Sequence, residues 1–277
     1  MTILRNSARF LAILALCASG TGPAAAAETI RLGVSFFPFH SADATRPDLL
    51  QAIAPDLQAA GYEVEKVVFL NYAEANPALA AGEIDGNLIQ HRLYMDIFNR
   101  RAGADLAIAA PVYHATFALY SGTYDTLGAI PDGETVIIPG DGVNTARALM
   151  LLQAAGLIGL APGVTHEARV ADVTSNPKGL RFLELPLTAA SGAYDEGGRR
   201  LAVMYPTFAR ALDLTGDAER LILEERGEIT DAYAISLAVR AGDLDSPATR
   251  ALAEALQSGA AAQWLRQNYA WASAPAR

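Results

Sequence analysis

Residues 139–147, Pro-Gly-Asp-Gly-Val-Asn-Thr-Ala-Arg, join the end of a β-branched run to the start of a helix of small and apolar residues. Free N–H groups at a helix start favour an anion. Arg147 sets a cation against the positive end of the helix dipole, at a cost of roughly 0.3–1 kcal/mol. A guanidinium grips a carboxylate through two parallel bonds, and Asn144 adds a donor and an acceptor. Together these residue types make a trap for a ligand carboxylate, with Asp141 able to receive an amine or to cap the helix. The plainer use of the same residues is a tight turn with Asn144 as N-cap and Arg147 in solvent. The trap works only if the guanidinium faces a crevice and is not spent on an acid within the chain.

Other chemistries fit less well. A P-loop needs a lysine followed by Ser or Thr, and "GDGVNTAR" has none; a dinucleotide fingerprint needs Gly where Thr145 stands. The histidines are His40, His91, His114 and His166. They form no local pair such as H-x-H or H-x-x-x-H, so a zinc or manganese receptor is kept only as the alternative. No G-x-S-x-G or S-x-x-K set supplies a nucleophile. Asp85, Asp96, Glu134 and Glu184 have no local partner for acid–base work, which leaves a periplasmic enzyme as a lesser alternative. Nothing calls for a cofactor.

The first 27 residues read as a secretory signal: Arg5 and Arg9, the apolar stretch "FLAILALCA", then small residues around Ala26 and Ala27. Cys17, the chain's one cysteine, falls inside it. The bulky Leu16 before it and the small-residue site after it favour cleavage without lipidation, so a lipid anchor is the lesser expectation. The mature chain then has no disulfide framework. The whole chain carries a net charge of −9; the leader holds two arginines and no acid, so 19 basic and 30 acidic residues leave −11. Such a surface suits neither nucleic acid nor an anionic membrane. No later segment reaches the ~20 apolar residues of a membrane span.

The elements that must position the trap alternate between strand and helix. Residues 29–36, 62–71 and 86–91 read as strands and 48–61, 74–82 and 92–103 as helices, followed by a long extended run over 106–122. The pattern then restarts, with strands at 134–140, 180–185, 199–206 and 232–240. Ser246 and Pro247 open one or two closing helices over 246–269. The alternation predicts mainly parallel sheets in two α/β units: residues 28–115 with 226–277, and residues 116–225. Ligands in open α/β sheets bind beyond the carboxyl ends of strands. "VIIPGDGVN", "FFPFH", "LIQH" and "VMYP" all stand at such ends.

The run "NYAEANPALAAGEIDGNLIQHRLYMDIFN" (71–99) resembles the NlpA/MetQ family of methionine-type substrate-binding proteins of ABC transporters. So do "IPGDGVNTARALMLLQAAGLIGL" (138–160), "NPKGLRFLEL", "LAVMYPTFA" and "YAISLAVRAGD", in the same order. The resemblance implies a type II periplasmic-binding-protein fold, with two α/β lobes on a two-strand hinge closing over one small ligand. It further implies an exported receptor that hands a small carboxylate ligand to a transporter permease. In that family the residue matching Arg147 grips the ligand carboxylate, and those matching Asn144, His91 and Tyr72 line the pocket. His40 matches a histidine after the first strand, and Gln90 and Tyr94 share the run that carries His91. Tyr205 stands where the family has an asparagine, and Leu88 and Ile89 where it has two pocket aromatics. Losing one buried polar partner costs roughly 1–3 kcal/mol. Methionine is therefore the leading ligand, with other small carboxylates of apolar or aromatic body close behind.

Overall fold

The computed structural model describes residues 27–35, 48–210 and 219–276. The signal segment, Cys17 and His40 lie outside them. In chain order the strands are β1 (Glu28–Val34), β2 (Tyr62–Val68), β3 (Gly86–His91), β4 (Leu106–Ala115), β5 (Ala118–Tyr120), β6 (Thr135–Pro139) and β7 (Gly159–Leu160). They continue as β8 (Val173–Ser175), β9 (Arg181–Leu185), β10 (Ala202–Met204), β11 (Arg220–Leu223), β12 (Ala234–Arg240) and β13 (Ser273–Pro275).

Two sheets organise them. The first has the order β13-β4-β12-β3-β1-β2 and the second β11-β5-β10-β6-β9, with β7 and β8 as a small ribbon. The extended run from 106 is therefore two strands, β4 in the first sheet and β5 in the second. The chain returns between β11 and β12. Sequence alternation predicts mainly parallel sheets, and β2, β1 and β3 do run parallel, as do β9, β6 and β10. The strands flanking the two crossovers are antiparallel instead: β12 against β3 and β4, and β11 and β10 against β5. A chain that crosses to a second lobe and comes back must reverse direction, so its outgoing and returning strands pair antiparallel.

Each sheet buries its own core. Leu32, Val34, Leu49, Ile53, Leu88, Leu237 and Trp264 centre the first. Phe117, Val136, Ile138, Leu149, Leu152 and Val203 centre the second. Tyr205 packs against both. The helix Leu49–Ala59 starts in a reciprocal cap: the Asp48 carboxylate accepts from Gln51 N–H at 2.9 Å, and Asp48 N–H donates to the Gln51 side chain at 2.8 Å. The closing segment forms two helices, Pro247–Leu256 and Gly259–Tyr269, capped by Ser246 and Ser258.

Candidate functional site

Strand β6 turns into the helix Val143–Ala154 through Gly142, whose φ of +79° is a conformation that favours glycine. Thr145 Oγ1 accepts from Gly142 N–H at 3.1 Å and donates to Pro139 C=O at 2.7 Å. The Asp141 carboxylate accepts from Asn144 N–H at 2.9 Å and from Asn144 Nδ2 at 2.8 Å. Asp141 thus caps the helix, and Asn144 sits within its first turn. Arg147 is the fifth helical residue. Its side chain leaves the dipole end and runs to the crossovers between the lobes.

There it is fully buried, 2% exposed. Nε donates to Glu224 Oε1 at 2.8 Å and Nη2 to Glu224 Oε2 at 2.5 Å. Nη2 also donates to Ala115 C=O at 2.6 Å. Glu224 follows β11 on the returning crossover and Ala115 ends β4 on the outgoing one. Glu224 Oε2 accepts in addition from Phe117 N–H at 3.0 Å, and Glu224 N–H donates to Phe117 C=O at 2.8 Å. One guanidinium therefore ties both crossovers together. The rings of Phe117 and Tyr233 lie 4.5 and 4.6 Å from its Cζ, with Tyr205 at 5.7 Å, positions that suit a cation over aromatic faces. Burial alone would lower its pKa, but the Glu224 charge overrides this and raises it.

The two-bond grip expected for a ligand carboxylate is thus spent within the chain. Among the described residues, Nη1 meets only the Tyr205 hydroxyl, at 3.4 Å. Neither Glu224 nor the rings of Phe117 and Tyr233 stand out in the sequence as site residues. Glu224 continues the strand-like "ERLILEER", and only its place at the chain's return could have marked it.

The other expected site residues fall on two sides. From the first lobe come Tyr72, which donates to Asp141 Oδ2 at 3.3 Å, and Tyr94, whose ring meets Tyr72 edge-on at 5.5 Å. His91 ends β3, and its Nδ1 accepts from Tyr94 N–H at 3.2 Å, so it caps the helix Arg92–Ala102. Its ring meets Tyr233 at 4.9 Å. Burial, and then the Arg147 charge, hold its pKa down to about 3, so the imidazole is neutral. The Asn144 side chain comes near enough to His91 to favour the charged ring slightly. Among the described residues, however, Asn144 Oδ1 is buried with no hydrogen bond of full geometry. The Tyr233 hydroxyl lies 3.4 Å from Val143 C=O and 3.3 Å from His166 Nδ1. Burial pushes the Tyr72 hydroxyl well above its usual range, and Tyr205 up to about 12. These hydroxyls stay protonated.

One expected pocket residue, Gln90, lies elsewhere, as does Leu88, which stands where the family has a pocket aromatic. Gln90 is buried in a network of its own lobe, where Asn76 Nδ2 donates to Gln90 Oε1 at 2.7 Å and Gln90 Nε2 donates to Asn87 Oδ1 at 2.9 Å. Leu88 packs in the first core, and the register of β3 against β12 shifts between Asn87 and Gln90, so strict alternation does not carry from one to the other. His40 lies outside the described residues. Among the described residues no group of three or more His, Cys, Asp or Glu side chains could hold a metal ion, so nothing there supports the zinc or manganese alternative. No described helix is long and apolar enough to cross a membrane.

Residues 41–277 match the family model for NlpA lipoproteins. The chain belongs to the NlpA lipoprotein family. It is 32% identical over 211 residues to the D-methionine-binding lipoprotein MetQ of Escherichia coli (strain K12), covering 76% of each chain. The structure of an ABC transporter periplasmic substrate-binding protein from Coxiella burnetii superimposes with a TM-score of 0.78 at 28% identity, over 89% of this chain and 99% of that one. A nutrient-binding protein from Burkholderia cenocepacia bound to methionine gives 0.78 at 27% identity, again over 89% and 99%. The fold is that of a periplasmic substrate-binding protein, two α/β lobes joined by two crossovers. The relatives named here are binding proteins. The NlpA family and the E. coli MetQ both carry lipoprotein in their names, which removes the support for an unlipidated Cys17.

Proposed function

We propose that this NlpA-family chain is the exported receptor of an ABC importer and captures methionine, or a small amino acid-like ligand related to it, between its lobes. The observation that carries this reading is the meeting of two sets of polar and aromatic groups between the lobes: Asp141, Asn144, Arg147 and Tyr205 from one, Tyr72, His91, Tyr94 and Tyr233 from the other. The methionine-bound relative, similar over most of both chains, supports the choice of ligand. The lobes, residues 28–115 with 226–277 and residues 116–225, close about the crossovers. Ligand drives closure to the extent that it binds the closed form better than the open one. The closed form then docks on a permease, and a lipid on Cys17 holds the receptor at the membrane.

Isothermal titration of the mature protein with L- and D-methionine tests the ligand. Binding in the micromolar range or tighter, about −8 kcal/mol, is the expected result. No heat with either isomer, together with recovery of a different compound from denatured protein by mass spectrometry, overturns methionine. A melting temperature raised by zinc or manganese and lowered by chelator overturns the class of ligand. Cys17→Ala moves the protein from the detergent phase to the aqueous phase if the anchor is there.

A further inference from the structure

Tyr233 reaches from the first lobe into the second. It stands directly before β12, its N–H donates to Thr230 C=O at 3.0 Å, and its side chain is buried. Its hydroxyl donates to Val143 C=O at 3.4 Å, and its oxygen lies 3.3 Å from His166 Nδ1. Both partners belong to the second lobe. His166 sits on the turn 165–168, which Ala168 N–H closes onto Thr165 C=O at 3.0 Å and the Ala168 side chain pins to the second core. The His166 ring meets Tyr233 edge-on at 5.4 Å, and Tyr233 meets His91 at 4.9 Å. One histidine from each lobe thus flanks the same tyrosine. His91 is fully buried, whereas His166 is half-buried and open to protons from solvent.

Charge decides what His166 does there. From the first lobe Tyr233, His91 and Arg92 face it; beside it on its own loop Glu167 and Arg169 are exposed. Burial, and then the Arg92 charge, hold its pKa below the ordinary value, so closed lobes favour the neutral imidazole. With the lobes apart, His166 leaves Tyr233 and Arg92 and regains water, and nothing then opposes its charged form. Protons therefore bind the open form more tightly than the closed one. By linkage, a ligand that favours closure binds more weakly as protons are taken up.

Resting on the receptor reading above, we infer that His166 is a latch between the lobes: neutral, it joins the Tyr233 hydroxyl and holds the cleft shut, and protonated, it is set against Arg92 and lets the lobes part. It is a positioning residue, since it acts on the ligand only by way of Tyr233 and closure. The receptor then grips its ligand in neutral surroundings and yields it as they turn acid.

The test is isothermal titration of the mature protein with L- and D-methionine between pH 8.0 and 5.0. Wild-type affinity is expected to hold down to about pH 6.5 and to fall below it, with His166 supplying up to about tenfold per pH unit. His166→Gln keeps a donor and an acceptor for the Tyr233 hydroxyl but takes no charge. Across that range it should lose less affinity than the wild type by a factor of about three or more. Arg92→Gln removes the opposing charge from an exposed position and should change the loss in the same direction by a smaller factor. His91 and His114 are kept in every variant, so the differences belong to His166. Parallel curves for wild type and H166Q overturn the latch while leaving the receptor reading intact, and so does a wild-type affinity that does not change with pH. An Arg92→Gln curve that coincides with the wild type overturns the opposition by Arg92. If neither isomer binds at pH 8.0, the receptor reading fails for methionine and the latch falls with it.

Discussion

Arg31 and Arg147 hold a carboxylate in the same fork, yet they sit in opposite surroundings. Arg31 Nε and Nη2 donate to Asp85 at 3.1 and 2.8 Å on the rim of the first lobe, where the two side chains are 41% and 34% exposed. Arg147 and Glu224 are 2% and 9% exposed between three aromatic rings. At the rim water screens both partners and takes over their bonds when one is removed, so little stability rests on the pair. At the crossovers no water can do so. The desolvation of both ions is offset only while they face each other. The same two residue types are a surface detail in one place and the tie between two lobes in the other.

The largest expected effect breaks the buried pair. Glu224→Ala leaves Arg147 charged and unpartnered and should cost about 3–5 kcal/mol in urea denaturation. Replacing both partners by apolar groups, Arg147→Met with Glu224→Leu, should restore most of that stability while removing ligand binding. A double variant no more stable than Glu224→Ala would show that the hydrogen bonds to Ala115 and Phe117, and not the ion pair, hold the crossovers. The burial of Glu224 against Arg147 predicts a marked loss of stability for Arg147→Ala as well.

A smaller effect is expected from His91, which shares the buried surroundings. Its folded pKa of about 3 lies below the ordinary 6.5. Between those values the unfolded chain binds a proton that the native state does not, so this residue makes stability rise with pH across that window, by up to ~1.4 kcal/mol per unit. His91→Asn keeps a side-chain acceptor at the cap and removes this proton. The pH dependence of the denaturation midpoint from 6.5 to 4.5 should therefore flatten relative to wild type. An unchanged slope would mean that the imidazole is not neutral in the native state.

The smallest effect belongs to the rim. Asp85→Asn should shift the melting temperature by far less than Glu224→Ala, and added salt should narrow what difference it makes. A loss comparable to the buried pair's would erase the contrast between the two sites.

Much of this was legible along the chain. The cap at Ser246, the strand–turn–helix around Gly142 and the order of family-like segments are local patterns, and local patterns survive in a one-dimensional record. The antiparallel strands beside the crossovers were not legible, because pairing direction depends on where the chain returns. Nor was the use of Gln90, whose amide is consumed by Asn76 and Asn87 within its own lobe.

What the sequence determined by itself is the alternation of strand and helix in two α/β units and the strand–turn–helix that carries Arg147, since both follow from periodicity and segment order. What only the tertiary structure decided is how Arg147 is employed. Its partner Glu224 lies 77 residues away, and no spacing rule links them. They meet because two lobes and two crossovers converge on one buried point. There a charge is held in place by whichever opposite charge the fold brings to it.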